Sequence, residues 1–528
     1  MSHDRTHVEI RNAEVHRELI EITEEMRSAM QVAFEADAKQ FAVDEKPPID
    51  DRRNNFRPYD QRQRFFVDVS KDSFLEEKHP ARIIDLVVEG LDLSEVYGQY
   101  CDEGNRPYHP KMMLKVVFYA YYIGVMSSRT IWDCVINRAD FMYLAAGQVP
   151  NFRTINTFRL RHLPRLAALF TEIVLLCRRL GMIGFEHLAI DGQKIQANAN
   201  FKKSKNLKGL RSEYEKVKSG LEKLLSREVN EYVSQETVDK RAVRLQNKLE
   251  KLSGFQKQLE TLKDEEKRLN MSDEDAAVMK HKDGTSKPSY NHQSAVDGEC
   301  GVTTAVGTSQ TGDKAEDLEE IVDASKENAG GSHQRVSGDS GFCSYEMLVN
   351  TEGRTEEFYL PDNRFEQSKK DPEEKKKYGL EDFQRDEEGN YTCPAGHSMQ
   401  HLGRFDGADG ACYDRYLGTG CEECARKGKC TKAAVRSLQV DTREPYRRKM
   451  RQKLRSDEGR EVYMKRQGLV EPGHGDDQKN RKWKQHHLRG LEKATGEFVL
   501  VRIAANLGKI IKFKTDELLA MQVTSRSI

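Results

Sequence analysis

The stretch Leu188-Ala189-Ile190-Asp191-Gly192-Gln193-Lys194 constrains this chain most, because it drives an apolar strand straight into a carboxylate. A second strand end of this kind arrives at Arg335-Val336-Ser337-Gly338-Asp339-Ser340-Gly341-Phe342, and a lone glutamate, Glu471, follows in a basic C-terminal region. Three acids delivered in this way suggest a site for two divalent metals. Mg²⁺ is hard and is usually bound by one or two carboxylates plus substrate phosphates, so acids at rigid strand ends leave coordination positions open for a phosphodiester. A local reading competes with it. Asp and Gly both favour turns, so Asp191-Gly192 and Asp339-Ser340-Gly341, each taken alone, read equally as plain turns.

The order of elements between the two aspartates weighs against that local reading. Ser289 to Asp297 and Gly301 to Val306 are alternating or β-branched runs separated by Gly298 and Glu299, which predicts a hairpin. A helix is expected from about Lys314 to Glu327, then the strand ending at Asp339, another helix and the short strand Glu357-Phe358-Tyr359-Leu360. Three strands, helix, strand, helix, strand, with acids on the first and fourth strands, resembles the ribonuclease-H-like catalytic fold of the DDE transposases of bacterial insertion sequences. Asp191 to Asn198 is similar to that family's first-aspartate motif, Tyr290-Asn291-His292-Gln293 with Ala295-Val296-Asp297 to its second strand, and Gly338 to Phe342 to its second-aspartate motif. Tyr463, Arg466, Val470-Glu471-Pro472 and Lys479 match the tyrosine, arginine, glutamate and lysine that accompany the family's third acid. The resemblance runs from about Tyr108 to Lys512. Two features depart from it: His474 stands where an aromatic residue is expected two places after Pro472, and Asp476-Asp477 add acids to a segment that is usually neutral or basic.

The resemblance implies an α/β chain whose ribonuclease-H-like mixed-sheet domain spans residues 185–363 and 433–528. Before it would lie a polar segment, 1–60, and an all-helical DNA-binding domain, 61–184; within it, a helical hairpin, 201–270, and a cysteine-rich insertion, 364–432. It implies that Asp191, Asp339 and Glu471 hold two Mg²⁺ ions, with Mn²⁺ as a substitute, for strand cleavage and strand transfer. Tyr463, Arg466 and Lys479 would contact phosphates beside the cut. Its partners would be double-stranded DNA, both terminal inverted repeats and target, bound by a homodimer. A copy that binds DNA without catalysis, or a metal nuclease without transfer activity, would share much of this sequence.

Charge is consistent with such a partner only when its distribution is considered. Lys+Arg and Asp+Glu are both 86, yet from Lys432 to Arg489 there are 17 Lys and Arg against 8 Asp and Glu. A stripe of that kind neutralises phosphates and releases counterions, or is simply a solvated face. No apolar run approaches the ~20 residues that span a bilayer, and the N-terminus lacks a signal-peptide core, so a cytoplasmic protein without membrane partners is expected. Ten cysteines in 528 residues are too sparse for a disulfide scaffold.

The remaining segments yield weaker readings. Helical spacing is expected at Val15 to Phe34, after His79-Pro80, and after Pro110, where Met113, Leu114, Val117 and Tyr121 precede Gly124. Ser127 should cap the next helix. Arg153, Arg159 and Arg161 on the following segment suit phosphates and base edges, or form the basic exterior of an ordinary bundle. Leu207 to Leu224 and Leu245 to Leu262 carry coiled-coil-like spacing, pairing within one chain or between two. Phe365 to Glu388 reads as a charged surface excursion. Cys393, Cys421, Cys424 and Cys430, with His397 and Cys412 as substitutes, have the number and softness for structural Zn²⁺, or are unconnected thiols. Val435 to Val440 should be a strand, Tyr446 to Gln467 one long basic helix, and Phe498 to Leu507 the last helix. Pro472 should start or kink the segment after Glu471.

Overall fold

The computed structural model describes residues 75–100, 107–226, 235–261, 267–311, 318–370, 375–407 and 411–525. The segment 1–60, its helix candidate Val15 to Phe34, and Leu262 lie outside the described residues. Helix α1, Pro80–Glu89, starts on a proline whose missing N–H would be unpaired there anyway, and the His79 ring accepts from the Ala81 N–H to cap it. A first-turn proline also opens α2, Pro110–Tyr122, without a capping bond from the His109 ring, and the helix ends before Gly124. That glycine has φ +78, and a Cβ on it would meet the Arg481 backbone at 2.8 Å. In α3, Ser128–Asn137, Ser127 holds the capping position, but contrary to expectation its hydroxyl makes no capping bond. Asn151 does cap α4, Phe152–His162, accepting from the N–H groups of Arg153 and Thr154, and α5 is Leu166–Arg179.

The central sheet begins with β1, His187–Gln196. Helices α6, Leu207–Leu225, and α7, Gln235–Thr261, then pack on each other within the chain through Leu210, Val217, Leu252, Phe255 and Leu259. Strands β2, Ala277–Lys280, β3, Ser286–Asp297, and β4, Thr303–Ser309, follow; then come helix α8, Leu318–Ala329, and strands β5, Arg335–Ser337, and β6, Glu357–Tyr359. The order is β2-β3-β1-β5-β6, with β4 also on β3. Strand β3 runs antiparallel to β1, whereas β5 and β6 continue the sheet in parallel. The result is a mixed α/β architecture. Alternation separates its faces: Leu188, Ile190 and Val336 bury against Leu318, Ile321 and Val322 of α8, while Ala189 and Val296 pack with Val470 on the other face.

A three-stranded antiparallel sheet, β7, Met399–Asp406, β8, Cys412–Gly418, and β9, Ser437–Asp441, has a small core of its own. Tyr378 and Phe383 belong to that core, so the 365–388 segment is not simply a surface excursion. The single helix expected over Tyr446 to Gln467 is two, α9, Glu444–Arg455, and α10, Asp457–Gly475. They part at Ser456, whose extended backbone (ψ 158°) and hydroxyl cap α10. Pro472 does not start a helix but lies inside α10, which then widens into a π-helical turn at Asp476–Asn480. The last helix, α11, is far longer than Phe498 to Leu507: it spans Leu491–Ser525, with non-helical angles at Lys514. Its Phe498, Leu500, Ile503 and Leu507 join the core of α1, α2 and α5, so the buried interior continues across residue 184 instead of stopping there. Among the described residues, no helix is long and apolar enough to cross a membrane.

Asp477, fully buried in the π turn, is ion-paired to Arg502 of α11 and lies 3.3 Å from Arg481. Removing one partner of a buried pair leaves an uncompensated charge. Asp477→Ala should therefore cost about 3–5 kcal/mol in urea unfolding, whereas Lys240→Ala, in a fully exposed helical pair, should cost less than about 0.5 kcal/mol. Equal, small effects would show that Asp477 is not what anchors the end of α10.

Candidate active site

The parallel pairing of β1 with β5 places Leu188 beside Val336 and Ala189 beside Ser337. Asp191 and Asp339 each come two residues later, level with one another and on the face that α10 covers. Asp191 Oδ1 accepts from the Gly192 N–H at 2.9 Å, and Asp339 caps a short 3-10 turn by accepting from Gly341 at 2.9 Å. A side chain at Gly341 would press on that carboxylate, 3.0 Å from Oδ1. Val470 packs on Ala189 and Val296, which brings the next residue, the exposed Glu471, to the face of the sheet that carries Asp191 in the middle of β1, not at its end as the sequence suggested. All three acids line one cleft of about 690 Å³.

Cationic and polar groups share that cleft. Arg466 Nη1 and His474 Nδ1 each stand 3.6 Å from an Asp191 oxygen, beyond hydrogen-bond reach. The Arg466 guanidinium lies over the Tyr463 ring at 5.5 Å; it is 9% exposed, and its Nε and Nη1 are buried with no hydrogen-bond partner. Burial pushes the Tyr463 phenol up, Arg466 opposes the shift, and Asp339 adds to it. Burial, reinforced by Arg502, holds the His474 imidazole down at about 4, so the ring is neutral at neutral pH. Lys194, Lys280 and Lys282 supply positive charge on the opposite wall.

Residues 392–511 match the family model of the transposase DDE domain, and residues 69–161 match that of a transposase domain (DUF772). These matches indicate a DDE-type transposase of an insertion sequence. Neither curated proteins nor solved structures give a match. Glu471 falls inside the DDE match, whereas Asp191 and Asp339 lie outside both matched ranges. Transposases of this type act on DNA and generally use divalent metal ions, and the oxygen donors of the cleft have the right chemistry for a hard cation. Among the described residues, however, no three His, Cys, Asp or Glu side chains are drawn into one coordination sphere. Asp191 instead faces the Arg466 cation and the neutral His474 ring, each at 3.6 Å.

The other expected DNA contacts divide. Arg153 and Arg161 are exposed and border a hollow beside Tyr100 and Tyr108. Arg159 must be corrected: it is 4% exposed, and its guanidinium donates to the Tyr121 hydroxyl, the Met126 carbonyl and Asn156 Oδ1, so it ties helices together instead of facing a phosphate. Lys479 is exposed on the π turn, but Gln478 lines the cleft in its place, because the wider turn shifts the register after Glu471.

Cys393, Cys421, Cys424, Cys430 and His397 border one small cavity, while Cys412 stands apart on β8 beside Asp406. Burial raises the Cys430 thiol, and the other three cysteines add to the shift. Sequence reasoning missed Lys280 and Lys282. The signal was present: Asp283-Gly284, with Gly284 at φ +79, is a turn between Ala277–Lys280 and Ser286–Asp297, and Lys280 and Lys282 come just before it.

Arg159→Ala should lower unfolding stability by about 2–4 kcal/mol, because two buried acceptors and a partly buried one lose their donor. Arg153→Ala and Arg161→Ala should leave the unfolding curve nearly unchanged, and the comparison is a single set of denaturation curves. A silent Arg159→Ala would return that residue to the free cations.

Proposed function

We propose that this chain is an active transposase that binds the ends of an insertion sequence and carries out metal-dependent DNA strand cleavage and strand transfer. The observation that carries this reading is the convergence of Asp191, Asp339 and Glu471 on one cleft beside the Arg466 guanidinium, whose buried Nε and Nη1 make no hydrogen bond among the described residues. The strand order, with an antiparallel second strand and parallel fourth and fifth, supports a ribonuclease-H-like description of the sheet. Asp191, Asp339 and Glu471 would hold the divalent ions, Mg²⁺ or Mn²⁺, which when bound supply an activated nucleophile and neutralise charge on the leaving oxygen.

The chain's own residues do the rest. Arg466 offers Nη1 to a non-bridging phosphate oxygen, a charge-assisted bond worth more for being shielded from water. The Tyr463 ring, with its centroid 5.5 Å from the guanidinium carbon, forms one side of that group's surroundings. Lys194, Lys280 and Lys282 hold flanking phosphates, and Lys479, with Arg153 and Arg161, extends the contact along the duplex. Two copies on DNA form the working assembly, and the cytoplasm is the expected compartment. The cavity of Cys393, Cys421, Cys424 and Cys430 would take a structural Zn²⁺, which metal analysis of the purified chain would read as one equivalent; zinc-free protein of unchanged melting temperature would count against it.

Replacing Glu471 with Gln keeps size and removes charge. Glu471→Gln should bind end DNA near wild-type affinity, with the same steep salt dependence, and lose Mg²⁺-dependent nicking by at least about 100-fold. Lys479→Ala should weaken DNA binding by a few fold and flatten the salt slope by about 1. Nicking by Glu471→Gln at the wild-type rate would remove Glu471 from the site. A wild type that binds but never cuts with Mg²⁺ or Mn²⁺ would leave a DNA-binding protein without catalysis.

A further inference from the structure

We propose that His474 is a nitrogen ligand of the divalent ion held at Asp191 and Glu471, giving the cleft a mixed oxygen and nitrogen donor set. This rests on the three-carboxylate reading of the cleft and adds a donor to it. Glu471 and His474 are three residues apart in the last turns of α10, a spacing that puts both side chains on one face, and both line the cleft with Asp191. Among the described residues, the His474 ring makes no hydrogen bond, and its Nδ1 faces Asp191 Oδ2 at 3.6 Å. That gap is too long for a hydrogen bond. It is close to the separation of about 3.0–3.4 Å that two donors show when each lies about 2.1 Å from one cation.

The side chain is confined without being sealed off. It is 17% exposed, and the Asp477 to Arg502 pair directly behind it fixes the end of α10. Glu471, by contrast, is exposed on the same cleft, so its side chain has other rotamers open to it. The buried Nη1 of Arg466, which makes no hydrogen bond among the described residues, faces the other Asp191 oxygen, Oδ1, at 3.6 Å and is a second, independent group in the cleft suited to a phosphate that would complete the sphere.

Imidazole favours transition metals over Mg²⁺, so a nitrogen donor here tilts the site toward Mn²⁺. The test uses the full chain with Mn²⁺ as the probe, read by electron spin echo spectroscopy, which detects a directly bonded ¹⁴N. Wild type should bind Mn²⁺ and show one ¹⁴N coupling. Both His474→Phe and His474→Gln should lose that coupling and bind Mn²⁺ about tenfold or more weakly, with unchanged melting temperatures. His281→Gln controls for the other imidazole of the cleft, whose Nε2 is already bonded to Ser289 Oγ, and should keep the coupling. Bound Mn²⁺ without a ¹⁴N coupling, or a coupling that survives both His474 variants, would overturn the role of His474 and leave the three carboxylates standing. A wild type that takes up no Mn²⁺ would overturn both.

Discussion

The structure depends first on a short parallel register. Because Leu188 lies beside Val336 and Ala189 beside Ser337, the next outward-facing positions on the two strands are level, and both carry aspartate. Strand alternation then does two jobs at once. Leu188, Ile190 and Val336 are buried under α8, while Ala189, Asp191 and Asp339 are left to the other face, where α10 arrives. A slip of one residue would exchange core and site. The hydrophobic interior of the sheet therefore holds the register that the acids require.

The second constraint acts on the end of α10. Pro472 removes one backbone donor, and the helix widens into a π turn, an arrangement that would fray unaided. Asp477 prevents this by pairing, fully buried, with Arg502 and Arg481, which tethers the turn to α11. Nearby, His292 Nε2 meets His486 Nε2 at 2.8 Å, and Glu497 accepts from His486 and His487 at 2.9 and 3.0 Å, joining β3 to the same helix. Burial alone would raise the Glu497 carboxyl, yet the two histidines outweigh it and hold the group well below the usual range. These contacts spend no atoms on chemistry. They decide where Glu471 and His474 stand.

The strands His187–Gln196, Ser286–Asp297, Thr303–Ser309, Arg335–Ser337 and Glu357–Tyr359 were legible in the sequence because apolar runs are local signals, whereas Ala277–Lys280, Met399–Asp406 and Cys412–Gly418, short or polar, were not. Asp191 and Asp339 could be named as acids following apolar runs, but Asp191 does not end its strand as expected, since pairing with β3 carries that strand on to Gln196, and the level the two acids share could not be read because register is a property of two distant segments. Charged helical residues were the least legible. Arg159 read as a contact to phosphates and base edges or as part of a basic exterior, and Asp477 as an added acid in a basic segment, and only the fold shows each satisfied by distant partners, Tyr121 and Met126 for one, Arg502 for the other. Asp476-Asp477 and His474, which first stood out as departures from the family pattern, prove to be an anchor and a member of the cleft. The π turn also explains Lys479, because no sequence period announces an extra residue in a helical turn.

The central claim, that β1, the end of β5 and α10 together make a metal site, is tested most directly by diffraction. Crystals of the transposase grown with Mn²⁺ and measured at an energy where manganese scatters anomalously should show a peak bonded to the carboxylates of Asp191 and Asp339, with Glu471 turned toward it. An anomalous map empty at those carboxylates in fully loaded crystals, or with its peaks only at other residues, would contradict the account.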